Sequence, residues 1–149
     1  MEVLIAGDFV PRYRLAESVD LGNFQEIFPD DVREIVKSAD FSFVNFESPV
    51  TETGFRPIPK CGPNLHCSHK AVDAIKYAGF TGVTLANNHI MDYGAEGLHK
   101  TIESCKAAGL DVVGVGDNLS AAASILYLEN RRKESCGHQL LRTRILHCY

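Results

Sequence analysis

A short, mostly apolar segment that leads directly into polar residues constrains this chain more than any other feature. Residues 82–86 are rich in β-forming side chains, and the polar residues Asn87, Asn88, His89 and Asp92 follow at once. A helix signal begins a few residues later. Open α/β sheets build their ligand sites in this arrangement, at the carboxyl end of a strand. The segment therefore predicts a strand of a parallel sheet that ends in a functional site.

Other apolar runs predict further strands, and helices between them. The expected strands are 3–6, 41–46, 83–86, 112–116 and 124–129. The expected helices are 30–39, 68–78 and 95–108, with a short helical turn at 118–123. Ser68 is the expected N-cap of the second helix, and residues 9–23 and 48–67 are expected to be irregular. Because strands alternate with helices, we predict an α/β fold with a mainly parallel sheet and helices on both faces.

Length, charge and composition limit the class of protein. The 149 residues suffice for one domain with its own core. The net charge of −4 argues against a nucleic-acid partner, and no apolar run approaches the ~18 residues that a membrane span needs. The chain begins without a signal-peptide pattern, and its five cysteines suit a reducing compartment, so we expect a cytoplasmic location for the chain as written. The spacing of Cys61 and Cys67 disfavours a zinc-binding pair.

Three of the expected strands end in side chains that can bind a metal ion or a phosphate group. The carboxyl ends of parallel strands lie at one edge of a sheet, so these side chains should lie together. Carboxylate, amide oxygen and imidazole suit a divalent transition metal or zinc. The candidate residues, in chain order, are Asp8, Asn45, Glu47, Asn87, Asn88, His89 and Asp92.

Each candidate also has a purely structural explanation. Asp8 can serve in a turn or as a helix cap, and Asn87 and Asn88 can be turn residues that tolerate a left-handed backbone. Glu47 can be a solvated loop residue, and a single histidine such as His89 is often structural. The functional interpretation is favoured because such residues follow three successive strands.

Three motifs together resemble the bacterial capsule-synthesis family known as CapA or PGA_cap. They are Gly7-Asp8, residues 44–49 (Val-Asn-Phe-Glu-Ser-Pro), and residues 85–94 (Leu-Ala-Asn-Asn-His-Ile-Met-Asp-Tyr-Gly) followed by Gly97. The loop 60–65 also resembles the loop that borders the site in that family. The resemblance extends over residues 3 to 130 and corresponds to the N-terminal half of the family's proteins.

The family is associated with poly-γ-glutamate capsule production and is related to the calcineurin-like metallophosphatases. The resemblance implies a metallophosphatase-like half of a fold and a metal-dependent, phosphoesterase-like hydrolase with Mn or Zn as its cofactor. In that mechanism a metal-activated water attacks phosphorus, and the histidine contacts the phosphate or the leaving group. The implied metal ligands are Asp8, Asn45, Glu47 and Asn88. The implied catalytic residues are His89 and Asp92.

The chain departs from the phosphoesterase pattern in ways that affect the metal site. The first strand ends in Asp8, Phe9 and Val10, without the histidine that usually stands two residues after the aspartate. Asn87 stands where phosphoesterases have glycine. The histidines that they carry in their second half have no counterpart here, so we expect these residues to form only part of a two-metal site.

The composition of the chain changes after Glu129. Residues 131–149 are rich in arginine and lack the pattern of a strand. A +1 reading of possible codons for 134–149 gives an apolar strand similar to the family's continuation, which predicts a frameshift near codon 133. Residues 1–130 would then be the CapA-like part of a truncated protein with impaired or no activity. The alternative is a basic tail for a partner or a membrane surface.

Two functions are open on these observations. In the first, the chain takes part in capsule biosynthesis and acts on a small-molecule or polymer substrate, either a phosphoester or a polyglutamate-related compound. In the second, it is a non-catalytic module that binds an anionic polymer or a glycan without a metal. Neither involves nucleic acid or a membrane span, although family members can be at the cell surface, and the oligomeric state is open.

Overall fold

A four-stranded sheet forms the centre of the computed structural model, which describes residues 1–129. Its strands, in spatial order, are β1 (Val3–Phe9), β2 (Phe41–Phe46), β3 (Gly82–Thr84) and β4 (Asp111–Val113). All three neighbouring pairs are parallel. Parallel neighbours need long crossover connections, which helices and loops provide here. The predicted α/β fold with a mainly parallel sheet is therefore confirmed.

Six helices lie within the described part of the chain. They are α1 (Arg14–Leu21), α2 (Phe24–Ile27), α3 (Asp30–Ser38), α4 (Lys70–Ala78), α5 (Gly94–Ala107) and α6 (Leu119–Ala122). The three long predicted helices correspond to α3, α4 and α5, and the predicted short turn corresponds to α6. None of the helices in this part is long and apolar enough to cross a membrane.

Helix α1 corrects the expectation that residues 9–23 are irregular. Val19 is 1% exposed, and Leu15 packs against the same core, so one face of this helix is buried. Gly22 ends the helix in the left-handed conformation, with φ at 79°. A helix of two turns gives too few apolar repeats for periodicity to detect it.

The two faces of the sheet are covered differently. Val44 and Phe46 belong to a large core cluster that includes buried residues from α1, α3, α4 and α5. Phe43 points to the opposite face and packs with Val113 and Leu128 in a smaller cluster. Within residues 1–129 this second cluster contains no residue of a helix.

Three other expectations differ from the structure or lie beyond it. Ser68 does not cap α4, because its hydroxyl group donates to the Asp20 carboxylate at 2.6 Å and His69 occupies the N-cap position. Residues 124–129 form no strand, and only Leu128 has bridge geometry. The predicted tail and frameshift, residues 131–149, lie outside the described residues.

Cys67 is a buried thiol. It donates hydrogen bonds to the backbone carbonyl groups of Ser48 at 3.4 Å and Pro49 at 3.6 Å. Burial, with smaller contributions from Cys105 and Asp20, raises its pKa far above the ordinary value. This environment keeps Cys67 as a protonated thiol within the core of the fold.

Candidate functional site

The carboxyl ends of three strands bring polar side chains into neighbouring positions. The register pairs Asp8 on β1 with Asn45 on β2, and Asn45 with Thr84 on β3. The pairing of β1 with β2 shifts between Ile5 and Asp8. An irregularity of this kind redirects the side chains that follow it. Asp8 and Asn45 therefore lie side by side at this edge.

The Asn45 side-chain amide joins two carboxylates. Its Nδ2 atom donates to Asp8 Oδ1 at 2.7 Å and to Glu47 Oε1 at 3.4 Å. Its Oδ1 atom accepts hydrogen bonds from Thr84 Oγ1 and Asn87 Nδ2, both at 3.3 Å. A neutral donor thus holds two negative groups together, and both ends of the amide have partners.

The turn after β3 determines which way the Asn45 amide faces. The backbone N–H groups of His89 and Ile90 donate to Asn87 Oδ1 at 3.1 and 2.9 Å. A backbone N–H can only donate, so Asn87 presents its oxygen to the turn and its nitrogen to Asn45 and to the Phe46 carbonyl. Asn45 must then present oxygen to Asn87 and nitrogen to the carboxylates.

Asp92 is the buried centre of a second cluster at this edge. The residue is 1% exposed. Its Oδ2 atom accepts from His89 Nδ1 at 2.8 Å and from the Leu65 backbone N–H at 2.6 Å. Its Oδ1 atom accepts a hydrogen bond from Lys60 Nζ. The turn after β3 therefore supplies the histidine and the aspartate, and the long loop supplies the other two donors.

Hydrogen bonds keep the Asp92 carboxyl group ionised in spite of its burial. Burial alone would raise its pKa. Hydrogen bonds from Lys60, the Leu65 backbone and His89, together with the charge of Lys60, outweigh that effect and lower the pKa below its ordinary value of 3.8. Since an ionised carboxylate only accepts hydrogen bonds, the Nδ1 atom of His89 must carry a proton where it meets Asp92.

The protonated Nδ1 leaves the other ring nitrogen of His89 available. Lys60 Nζ lies 3.3 Å from the same Nδ1 atom, which is farther than the 2.8 Å between Nδ1 and Asp92. Because both Lys60 Nζ and the protonated Nδ1 are donors, they form no hydrogen bond with each other. The His89 side chain is 17% exposed, and within residues 1–129 its Nε2 atom has no hydrogen-bond partner. A carboxylate behind a histidine fixes the tautomer and the ring orientation. Nε2 can therefore exchange a proton with a bound molecule.

The predicted metal ligands do not fit a divalent ion as they stand. Asp8 and Glu47 supply carboxylate oxygens, but Asn45 turns its N–H groups towards them, and an N–H group cannot ligate a metal. In the described part of the chain, no three His, Cys, Asp or Glu side chains form a group that could hold a metal. Zinc sites usually have four ligands. The assignment of Asp8, Asn45, Glu47 and Asn88 to a metal stays a prediction.

The remaining predicted residues divide between the rim and the interior. Asn88 is exposed, and its side chain belongs to neither hydrogen-bonded cluster. Asp92 is buried behind His89, so it is placed to hold that histidine rather than to touch a substrate. Lys60 and Thr84 are members of the clusters to which the sequence assigned no role. The signal for Lys60 was its place in the loop 60–65, which resembles the site-bordering loop of a known family.

Comparison with known proteins gives consistent matches. A family model described as "Bacterial capsule synthesis protein PGA_cap" matches residues 2–137. The chain is 36% identical over 129 residues to a capsule biosynthesis protein CapA of Bacillus anthracis. The matched region covers 85% of this chain and 31% of that protein. It is also 36% identical over 92 residues to a PGA biosynthesis protein CapA of Bacillus subtilis. That matched region covers 61% of this chain and 24% of that protein.

The extent of these matches bears on the site. The chain spans less than a third of the length of the two curated relatives described above, at 31% and 24%. The clusters around Asn45 and Asp92 both lie inside the region that the family model matches, residues 2–137. The match therefore includes the candidate site as well as the sheet that carries it.

Proposed function

Because the chain belongs to the bacterial capsule synthesis protein family PGA_cap, we propose that it acts in the synthesis of a poly-γ-glutamate capsule, as a phosphoester hydrolase. Its similarity to proteins named for capsule and PGA biosynthesis supports the biological role. Polar residues at the carboxyl ends of parallel strands support a site at that edge. We assign proton transfer in this site to His89.

The arrangement of Asp92, His89 and Lys60 supports the proposal most strongly. Asp92 is 1% exposed and accepts from Nδ1 of His89 at 2.8 Å, which leaves Nε2 as the reactive nitrogen. A histidine held in this way by a buried carboxylate is a common general acid or base.

The chemistry follows from the charges of this cluster. With Lys60 protonated and Asp92 ionised, the cluster is neutral until His89 takes up a proton, and it then carries one positive charge. Positive charge favours an anionic phosphoester in the site. As water forms a bond to phosphorus and the ester P–O bond breaks, the Nε2 proton of His89 passes to the leaving oxygen. The attacking water then returns a proton to His89.

Turnover by the 149-residue chain tests the proposal. Phosphomonoester and phosphodiester substrates with a nitrophenol leaving group, and a γ-glutamyl oligomer, should be assayed across the pH range. We expect hydrolysis of a phosphoester, because water attack and proton donation can both occur at the strand ends. Assays with and without Mn²⁺ or Zn²⁺ test the predicted cofactor separately.

The opposite result would identify the second class of function. A chain that binds γ-glutamyl oligomers or glycans but hydrolyses no phosphoester, with or without added metal, would contradict the hydrolase proposal. That outcome would favour the non-catalytic binding module.

A further inference from the structure

A basic cleft with an exposed aromatic ring is formed by the segment after β1, by α1 and by α2, and none of its lining residues belongs to the two clusters at the strand ends. Its volume is about 630 Å³. It is lined by Arg12, Tyr13, Arg14, Leu15, Ser18 and Glu26. Two arginines, one on each side of Tyr13 in the sequence, line this cleft on a chain whose net charge is −4. Attraction of anions to the cleft is therefore a local property.

The backbone of the cleft is strained at its aromatic residue. Tyr13 has φ at 52° and ψ at −126°, and within residues 1–129 it is the one residue other than glycine with a positive φ. Bulky residues adopt such a conformation only where the surrounding structure holds them, often at ligand sites. Tyr13 is 82% exposed, so packing in the core does not explain the conformation.

The two arginines are available to a ligand. The Arg12 guanidinium lies 4.9 Å from the centre of the Tyr13 ring and donates to the Tyr13 hydroxyl group at 3.2 Å. Neither Arg12 nor Arg14 forms a salt bridge in the described part of the chain, although Glu26 also lines the cleft. A guanidinium group matches the geometry of a carboxylate and binds it through two parallel hydrogen bonds.

We propose that this cleft binds an extended anionic polymer through its carboxylates. Arg12 and Arg14 are the charged contacts, and the Tyr13 ring is the surface against which the polymer backbone lies. A γ-linked glutamyl chain is the polymer that we assign, and this identification rests on the proposed function, whereas the cleft itself does not. Arg12 follows Asp8 by four residues, so their Cα atoms are within ~14 Å of one another, and a bound polymer passes close to the strand-end site.

Binding of a fluorescein-labelled γ-glutamyl oligomer to the full chain, measured by fluorescence anisotropy, tests the cleft. Arg12→Gln with Arg14→Gln should weaken the affinity by about tenfold or more, because both charge-assisted contacts are lost. The matched control is Arg56→Gln with Lys106→Gln, which removes two exposed positive charges elsewhere. We expect the control to weaken binding by less than about threefold, because salt screens distant charges.

The outcomes separate this proposal from its alternatives. Equal weakening by the two double variants, or none by the cleft variant, would overturn it. Displacement of the oligomer by inorganic phosphate at lower concentration than by γ-glutamyl dipeptide would overturn the carboxylate assignment. If the chain hydrolyses a phosphoester but the two double variants bind the oligomer with equal affinity, the cleft proposal is refuted and the hydrolase proposal stands. If only the cleft variant loses affinity and no phosphoester is hydrolysed, the cleft proposal is supported and the hydrolase proposal is refuted.

Discussion

Replacement of Asp92 by asparagine is expected to lower the free energy of unfolding by about 3–5 kcal/mol, the usual cost of removing one partner of a buried ion pair. Asp92 is 1% exposed and accepts hydrogen bonds from Lys60, His89 and the Leu65 backbone. An asparagine of the same shape must turn its NH₂ group towards one of these donors. Chemical denaturation should show the loss, and the melting temperature should fall by about 10 °C.

Asp117→Asn is the matched control for this variant. Asp117 also accepts from a histidine, His99, at 3.0 Å, but the side chains are 81% and 59% exposed. Exposed ion pairs contribute about 0–1 kcal/mol, so the control should be nearly neutral. If the free energy of unfolding fell by a similar small amount in the two variants, the Asp92 cluster would not stabilise the turn after β3.

The cost of the Asp92→Asn substitution should depend on pH in a defined direction. The pKa of Asp92 in the folded chain lies below the ordinary value of 3.8, so the folded chain binds this proton less readily than the unfolded chain does. The stabilisation is therefore complete at a pH above the pKa that Asp92 has in the unfolded chain. It is lost as the pH falls through the lower pKa that Asp92 has in the folded chain. The difference in stability between wild type and variant should shrink below pH ~4.

Replacement of His89 by glutamine is expected to reduce phosphoester turnover by roughly 10²-fold to 10⁴-fold, the usual contribution of a general acid or base. Glutamine can still donate a hydrogen bond to Asp92, so the turn should remain folded, but it cannot transfer a proton. The variant should therefore lose kcat while its melting temperature stays close to that of the wild type.

His99→Gln provides the comparison for His89→Gln. His99 lies on α5, its side chain is 59% exposed, and its partner is Asp117. Turnover in this variant should equal that of the wild type. If both histidine variants kept full activity, proton transfer would have to be assigned to another group.

The sheet and its edge could be predicted because they depend on local pattern. The apolar run 41–46 and the polar residue Asp8 after the first run indicate buried parallel strands that end in a site. Helix α4 could be predicted in the same way, from its apolar face and from the glycine that follows it. That glycine, Gly79, ends the helix in the left-handed conformation, with φ at 100°. Helix α1 could not be predicted, since its buried face contains little more than Val19.

The chemistry of the site depended on contacts that no local pattern contains. The salt bridge between Lys60 and Asp92 joins residues that are 32 apart, and only the path of the long loop brings them together. The orientation of Asn45 follows from two backbone N–H groups in the turn after β3, acting through Asn87. Sequence could therefore identify Asn45 as a site residue but could not show which end of its amide faces the carboxylates.

Nitrogen NMR of the His89 ring measures the tautomer on which the proposed chemistry depends. If the buried carboxylate of Asp92 determines the proton position, the neutral ring carries its proton on Nδ1, and Nε2 shows the chemical shift of an unprotonated nitrogen. A neutral ring protonated on Nε2, with Nδ1 accepting from Lys60 instead, would contradict the arrangement and remove the basis for proton transfer by His89.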